Sequence, residues 1–96
     1  MKVKLLYSPL VSKKYRVIFP DGFSIDFGAK GYNDFTTLPV INKDVKRKNY
    51  LKRHAKRENW NNPYSAGFWS RWLLWEEDNI PDAIRKIKYM FDIDIY

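Results

Sequence analysis

The sequence predicts an α+β domain, and three observations carry that prediction. Apolar and polar residues alternate through residues 3–7, 15–19 and 23–27, the period of a half-buried strand. The last two of these runs are separated by Pro20-Asp21-Gly22, in which proline presets the first turn position, aspartate tolerates the next and glycine supplies a left-handed residue. Beyond residue 65 the apolar residues change to helical spacing. The expected architecture is one domain, residues 1–96, built as a small antiparallel β-sheet packed on one face by three helices. The sheet comprises a hairpin at about 14–28, a short N-terminal strand and a C-terminal strand. The helices fall at about 43–59, 65–76 and 81–91.

Val3, Leu5 and Tyr7 share one face of the first strand. In the hairpin, Phe19, Phe23, Ile25 and Phe27 point inward, while Arg16 and Asp26 meet across the outer face as an ion pair. Gly28-Ala29-Lys30-Gly31 ends the hairpin; two glycines three apart can form an anion-binding nest, but no Walker lysine-serine pair follows them, so a phosphate loop is not expected. Residues 32–42, punctuated by Pro39, form a connection, and Asn42 or Asp44 caps the first helix. Only a narrow stripe of that helix, around Leu51 and Ala55 with His54 beside it, is free to face a core. Asn61-Asn62-Pro63 breaks the chain and Ser65 caps the second helix, on which Phe68, Trp72 and Trp75 fall on one face at i, i+4, i+7. That face is the expected core beneath the hairpin, with Trp69 and Leu73 adjoining. Pro81 opens the third helix, whose buried stripe is Ile80, Ala83, Ile84, Ile87 and Phe91. The alternation of 91–96 offers an edge strand with Asp92 and Asp94 on one side.

Composition narrows the chemistry. Seventeen aromatic residues in 96 supply enough apolar surface for a core, so the chain does not read as disordered. The absence of cysteine excludes disulfides, thiol nucleophiles and cysteine-ligated zinc, and a single histidine excludes a histidine-rich metal site. The longest run of large apolar residues, Trp72 to Trp75, is far too short to span a bilayer. No cofactor, metal or membrane is expected, and the setting reads as intracellular or inside a particle assembled there.

Charge is the strongest functional signal. Residues 43–58 hold eight basic and two acidic groups, a net +6, whereas 1–42 sum to +3 and 59–96 to −2. Such a block points to a polyanion. Lys46, Arg47, Lys48, Lys52, Arg53, Lys56 and Arg57 are the candidate phosphate contacts, and Trp60, directly after them, is the candidate stacking residue. His54 is the sole conventional proton shuttle, and Glu58 stands four residues on to orient it. With no nucleophile assignable beside it, His54 reads as a packing or phosphate-contacting residue rather than a catalytic one. Glu76-Glu77-Asp78 reads as a solvated helix end.

Four stretches, Tyr15–Gly22, Phe27–Thr36, Arg53–Trp60 and above all Ala66-Gly67-Phe68-Trp69-Ser70-Arg71-Trp72-Leu73-Leu74-Trp75, resemble a family of short proteins of nucleocytoplasmic large DNA viruses, the giant viruses, chloroviruses and their relatives. Members often carry a second histidine where this chain reads Thr37-Leu38-Pro39, and its absence counts against an enzyme or metal role. The resemblance implies a viral protein acting in the cytoplasm of the infected host cell or packaged in the virion. It is expected to be non-enzymatic and to bind nucleic acid, DNA rather than RNA. The alternative is a minor capsid or virion component whose basic helix meets an acidic capsid protein, and an enzyme of unknown reaction ranks third.

Overall fold

Lys2–Tyr7 (β1), Lys13–Ile18 (β2) and Ser24–Ala29 (β3) form an antiparallel meander, followed by the helix Lys43–His54 (α1), the single helical turn Ala66–Trp69 (α2), a π-helical segment Ser70–Leu74, the helix Ile80–Phe91 (α3) and the short strand Asp94–Ile95 (β4). A computed structural model describes residues 1–96. The α+β architecture expected from the sequence is the one observed.

The hairpin turn forms as its residues dictate. The Gly22 N–H donates to the Phe19 carbonyl at 2.9 Å, and Gly22 sits at φ +91°, where a side chain would be strained. Register then follows: Val17 faces Ile25, Tyr15 faces Phe27, and Arg16 faces Asp26. The Arg16 guanidinium donates to both Asp26 oxygens, at 3.0 and 2.9 Å, and Ser8 Oγ donates to the same carboxylate. These bonds hold the Asp26 carboxyl below the usual range. Phe19, Ile25 and Phe27 are buried as expected, but Phe23 lies at the turn end of the hairpin and is 49% exposed, leaning on Phe19 and Tyr64.

The sheet is mixed rather than purely antiparallel. Its order is β3-β2-β1-β4, and β4 pairs with β1 in parallel, Val3 opposite Ile95. The chain reaches β4 through α3, and a helical crossover of this kind brings a strand back in the direction of the one it joins. Asp92 belongs to this crossover and not to the strand: it caps α3 at φ 55°, and Lys88 reaches both Asp92 and Asp94.

The core lies between the sheet and the last third of the chain. Val3, Val17, Phe19 and Phe27 are covered by Phe68, Trp69, Leu73, Leu74, Ala83 and Ile87. Here the expected Phe68-Trp72-Trp75 face is corrected. The helix continues as π after Trp69, where hydrogen bonds reach five residues back and the turn holds one extra residue. Across this change of register Phe68, Trp69, Leu73 and Leu74 are the buried residues. Trp72 and Trp75 rotate to the margin, half-buried. Ser65 caps the turn as expected, its side chain accepting from the Phe68 N–H, and α3 buries its Ala83 and Ile87 stripe behind Asn79, whose side chain accepts from the Asp82 N–H.

Candidate nucleic-acid interface

The helix α1 ends at His54, five residues short of the expected boundary, and residues 55–57 turn away. Asn42 occupies the cap position but is left-handed and makes no side-chain cap, so the helix begins without that support. It joins the body by a few side chains. Tyr50 is its one buried residue, 6% exposed, lying flat against Trp75 at 4.3 Å and an interplanar angle of 4°. The His54 ring stacks on Tyr50 at 4.2 Å. Two parallel rings at such distances cannot share one face of the phenol, so Tyr50 is the middle of a three-ring stack. Burial, with the Glu58 carboxylate nearby, pushes the Tyr50 phenol well up.

Arg47 separates from the other candidates. Its Nε donates to the Trp75 carbonyl at 2.8 Å and its Nη2 to Glu76 Oε1 at 2.7 Å. It is a mooring of the helix, not a free cation. Glu76 itself is no solvated helix end: its carboxylate is 10% exposed and also accepts from Arg71 and Lys86. Burial works against the charge, but the hydrogen bonds from Lys86 and Arg71 outweigh it and hold the carboxyl at about 2. One carboxylate thus ties α1, the π segment and α3 together, a role that no local sequence pattern announced.

Lys46, Lys48, Lys52, Arg53, Lys56 and Arg57 are all exposed, and none has a carboxylate within 4.0 Å. Of the two acids in the block, Asp44 is exposed in the first turn of the helix and pairs with none of them, and Glu58 is committed elsewhere. Glu58 lies 3.0 Å from His54 Nδ1 and accepts from the Trp60 indole N–H at 2.9 Å. Trp60 does not stand among the free cations as a bare ring. It is half-buried, with the Arg71 guanidinium 5.1 Å from its ring centroid, and its carbonyl accepts from the Trp72 indole. His54, held by Tyr50 and Glu58, likewise has both its ring and its Nδ1 engaged.

Facing α1 is the loop after β3, organised by the buried Asp34. Its carboxylate accepts from Lys14 Nζ at 2.6 Å and from the Thr36 N–H at 2.8 Å, while its carbonyl accepts from the Leu38 N–H at 2.9 Å. The loop is fastened to the same place as the helix. The π segment ends at Leu74, leaving carbonyls without helical partners; Leu74 accepts from the Phe35 N–H at 3.0 Å, and Trp75 from Arg47. Gly28, at φ +80°, opens this corner, since a Cβ there would come within 2.9 Å of the Leu74 side chain. The sequence carried no signal for this convergence beyond the presence of an aspartate between Asn33 and two threonines.

A family model described as "Family of unknown function (DUF5754)" matches residues 3–54, just over half of the chain, and the chain belongs to that family. The match runs from β1 to the end of α1, so it includes the basic helix and the Asp34 loop. No curated protein and no solved structure matches the chain.

Proposed function

We propose that this chain is a non-enzymatic polyanion-binding domain whose ligand is nucleic acid, DNA before RNA, held on the exposed face of α1 and the turn after it. One observation carries the reading: six cations, Lys46, Lys48, Lys52, Arg53, Lys56 and Arg57, crowd one segment without a carboxylate partner. Unneutralised charge at this density repels itself, and a chain of phosphates relieves that repulsion while releasing counterions. The setting that suits it, on the resemblance centred on Ala66–Trp75, is the virion or the infected host's cytoplasm. No helix is long and apolar enough to cross a membrane.

The test is salt dependence. With Arg47 moored inward, four to five phosphates engage the remaining cations, so log affinity for a duplex falls against log salt with a slope of about −3.5 to −4.5. Lys48→Glu with Lys52→Glu flattens the slope by about two and weakens unrelated duplexes equally, because phosphates carry no sequence information. Absence of binding to a duplex at micromolar concentration and low salt, in a folded sample, overturns the reading. Pulldown from disrupted virions then separates it from the capsid alternative, in which the same face meets an acidic capsid protein.

A further inference from the structure

Between α1 and the Asp34 loop lies a cleft of about 620 Å³, within the range of small-molecule sites. Its two walls differ in chemistry. On the helix side Lys46, Asn49 and Arg53 line it at i, i+3 and i+7, one stripe two turns long, and both cations are unpaired. On the loop side stand Tyr32 and Asn33. Tyr32 is 74% exposed, an aromatic ring left uncovered beside a three-ring stack in which every partner is engaged. The walls are preset, because the Phe35 N–H and the Arg47 guanidinium both bind carbonyls at the end of the π segment, which with Tyr50 forms the floor.

This composition discriminates among ligands. A divalent cation finds a single carboxylate here, that of Asp34, already bound to Lys14. An apolar ligand would bury two unpaired cations. An inorganic anion would use Lys46 and Arg53 and leave Tyr32 and both amides without a role. We infer that the cleft binds a nucleoside phosphate, with the phosphate on Lys46 and Arg53, the base against the Tyr32 ring, and the Asn33 and Asn49 amides offering donors and acceptors to the base edge. The ligand is either a free nucleotide or an unpaired residue of a single strand. The inference rests on the polyanion reading for its two cations and adds recognition of a base.

The experiment compares three probes, a ten-residue thymidine oligonucleotide, a twenty-base-pair duplex and thymidine monophosphate, on the full chain and on Tyr32→Ala. Tyr32 is exposed, so its truncation leaves the fold intact. Tyr32→Ala is expected to weaken the oligonucleotide about tenfold and the duplex less than twofold, with the salt slope unchanged, because paired bases cannot reach the ring. Thymidine monophosphate that shifts the Tyr32 and Asn49 amide resonances assigns the site to free nucleotides, whereas response to the oligonucleotide alone assigns it to a strand. Oligonucleotide affinity within twofold on Tyr32→Ala, with no shift from the mononucleotide, overturns the inference. Should the duplex still bind with its salt slope in that case, the polyanion reading survives without the cleft. A wild-type chain that ignores the duplex but shows mononucleotide shifts at Tyr32 removes the polyanion reading and keeps the cleft.

Discussion

At Glu76 one carboxylate accepts from three cations, two of them on helices that do not otherwise touch each other through charge. Its stabilising effect has a definite pH signature. The folded-state carboxyl, at about 2, lies below its ordinary 4.5. A depressed carboxylate contributes fully above the unfolded value, and that contribution is lost as pH falls from about 5 through 2. After allowance for solvent screening it amounts to on the order of 2 kcal/mol. Glu76→Gln is therefore expected to be less stable than the parent at pH 7 by about 2–4 kcal/mol, since it also strands three charges. Urea midpoints of the two proteins should converge between pH 5 and 2; a gap that stays constant over that range would show that the carboxylate's charge is not what joins the helices. Arg47 makes the same lesson from the other side. Its composition and spacing are those of Arg53, and nothing local distinguishes a mooring arginine from a free one. What separates them is which helix face Trp75 and Glu76 come to cover.

The element with the largest consequence is the π segment Ser70–Leu74. An uninterrupted α-helix over 65–76 would place Phe68, Trp72 and Trp75 under the sheet, and the helical wheel reads that way. The extra residue per turn exchanges Trp72 for Trp69 and brings Leu73 and Leu74 inside. Trp69 touches Phe19, Phe27 and Phe68, and its indole donates to the Pro63 carbonyl at 2.7 Å. Trp72 lies at the core's margin, with the Arg71 guanidinium 4.3 Å from its ring, a T-shaped contact with Phe91 and its indole N–H on the Trp60 carbonyl. Trp69→Ala should cost about 3–5 kcal/mol in chemical denaturation and Trp72→Ala about 1–2 kcal/mol. The reverse order would mean that the segment runs as plain α-helix. Near α1 the end of this segment decides the site, because it leaves the Leu74 and Trp75 carbonyls free to hold the loop and the helix.

The family match ends at His54, but the domain does not. Residues 3–54 contain three strands and the basic helix, yet the partners of the sheet's core face, Phe68, Trp69, Leu73, Leu74, Ala83 and Ile87, all come later. The crossover also returns β4 to the first strand, where the Tyr96 N–H donates to Val3 and the Leu5 N–H to Tyr96. A fragment of residues 1–54 would expose that apolar face and lose its fourth strand, too little burial for a chain of that size. It is expected to show the narrow amide dispersion of an unfolded chain, and to become sensitive to protease throughout. Native-like dispersion from the fragment would place the stabilising contacts within the first 54 residues and contradict the core described here.

Much of this molecule was legible in its sequence. Alternation and the Pro-Asp-Gly turn specify the hairpin and its Arg16–Asp26 pair, because a period of two and a turn type are local properties. The same holds for the Ser65 cap, for α3 with its Ala83 and Ile87 stripe, and for the concentration of charge in residues 43–58. What the tertiary structure decided lies where distant segments compete for one partner. The π register is one case: a helical wheel assumes 3.6 residues per turn, whereas the folded chain holds a π turn after Trp69, which packs against Phe19 and Phe27. The parallel pairing of β4, the choice of Arg47 over Arg53 as the mooring, the Glu76 hub and the cleft beneath Tyr32 are others. Each includes at least one contact across twenty or more residues, and the identity of a side chain says what it can bind without saying which partner the fold will bring within reach.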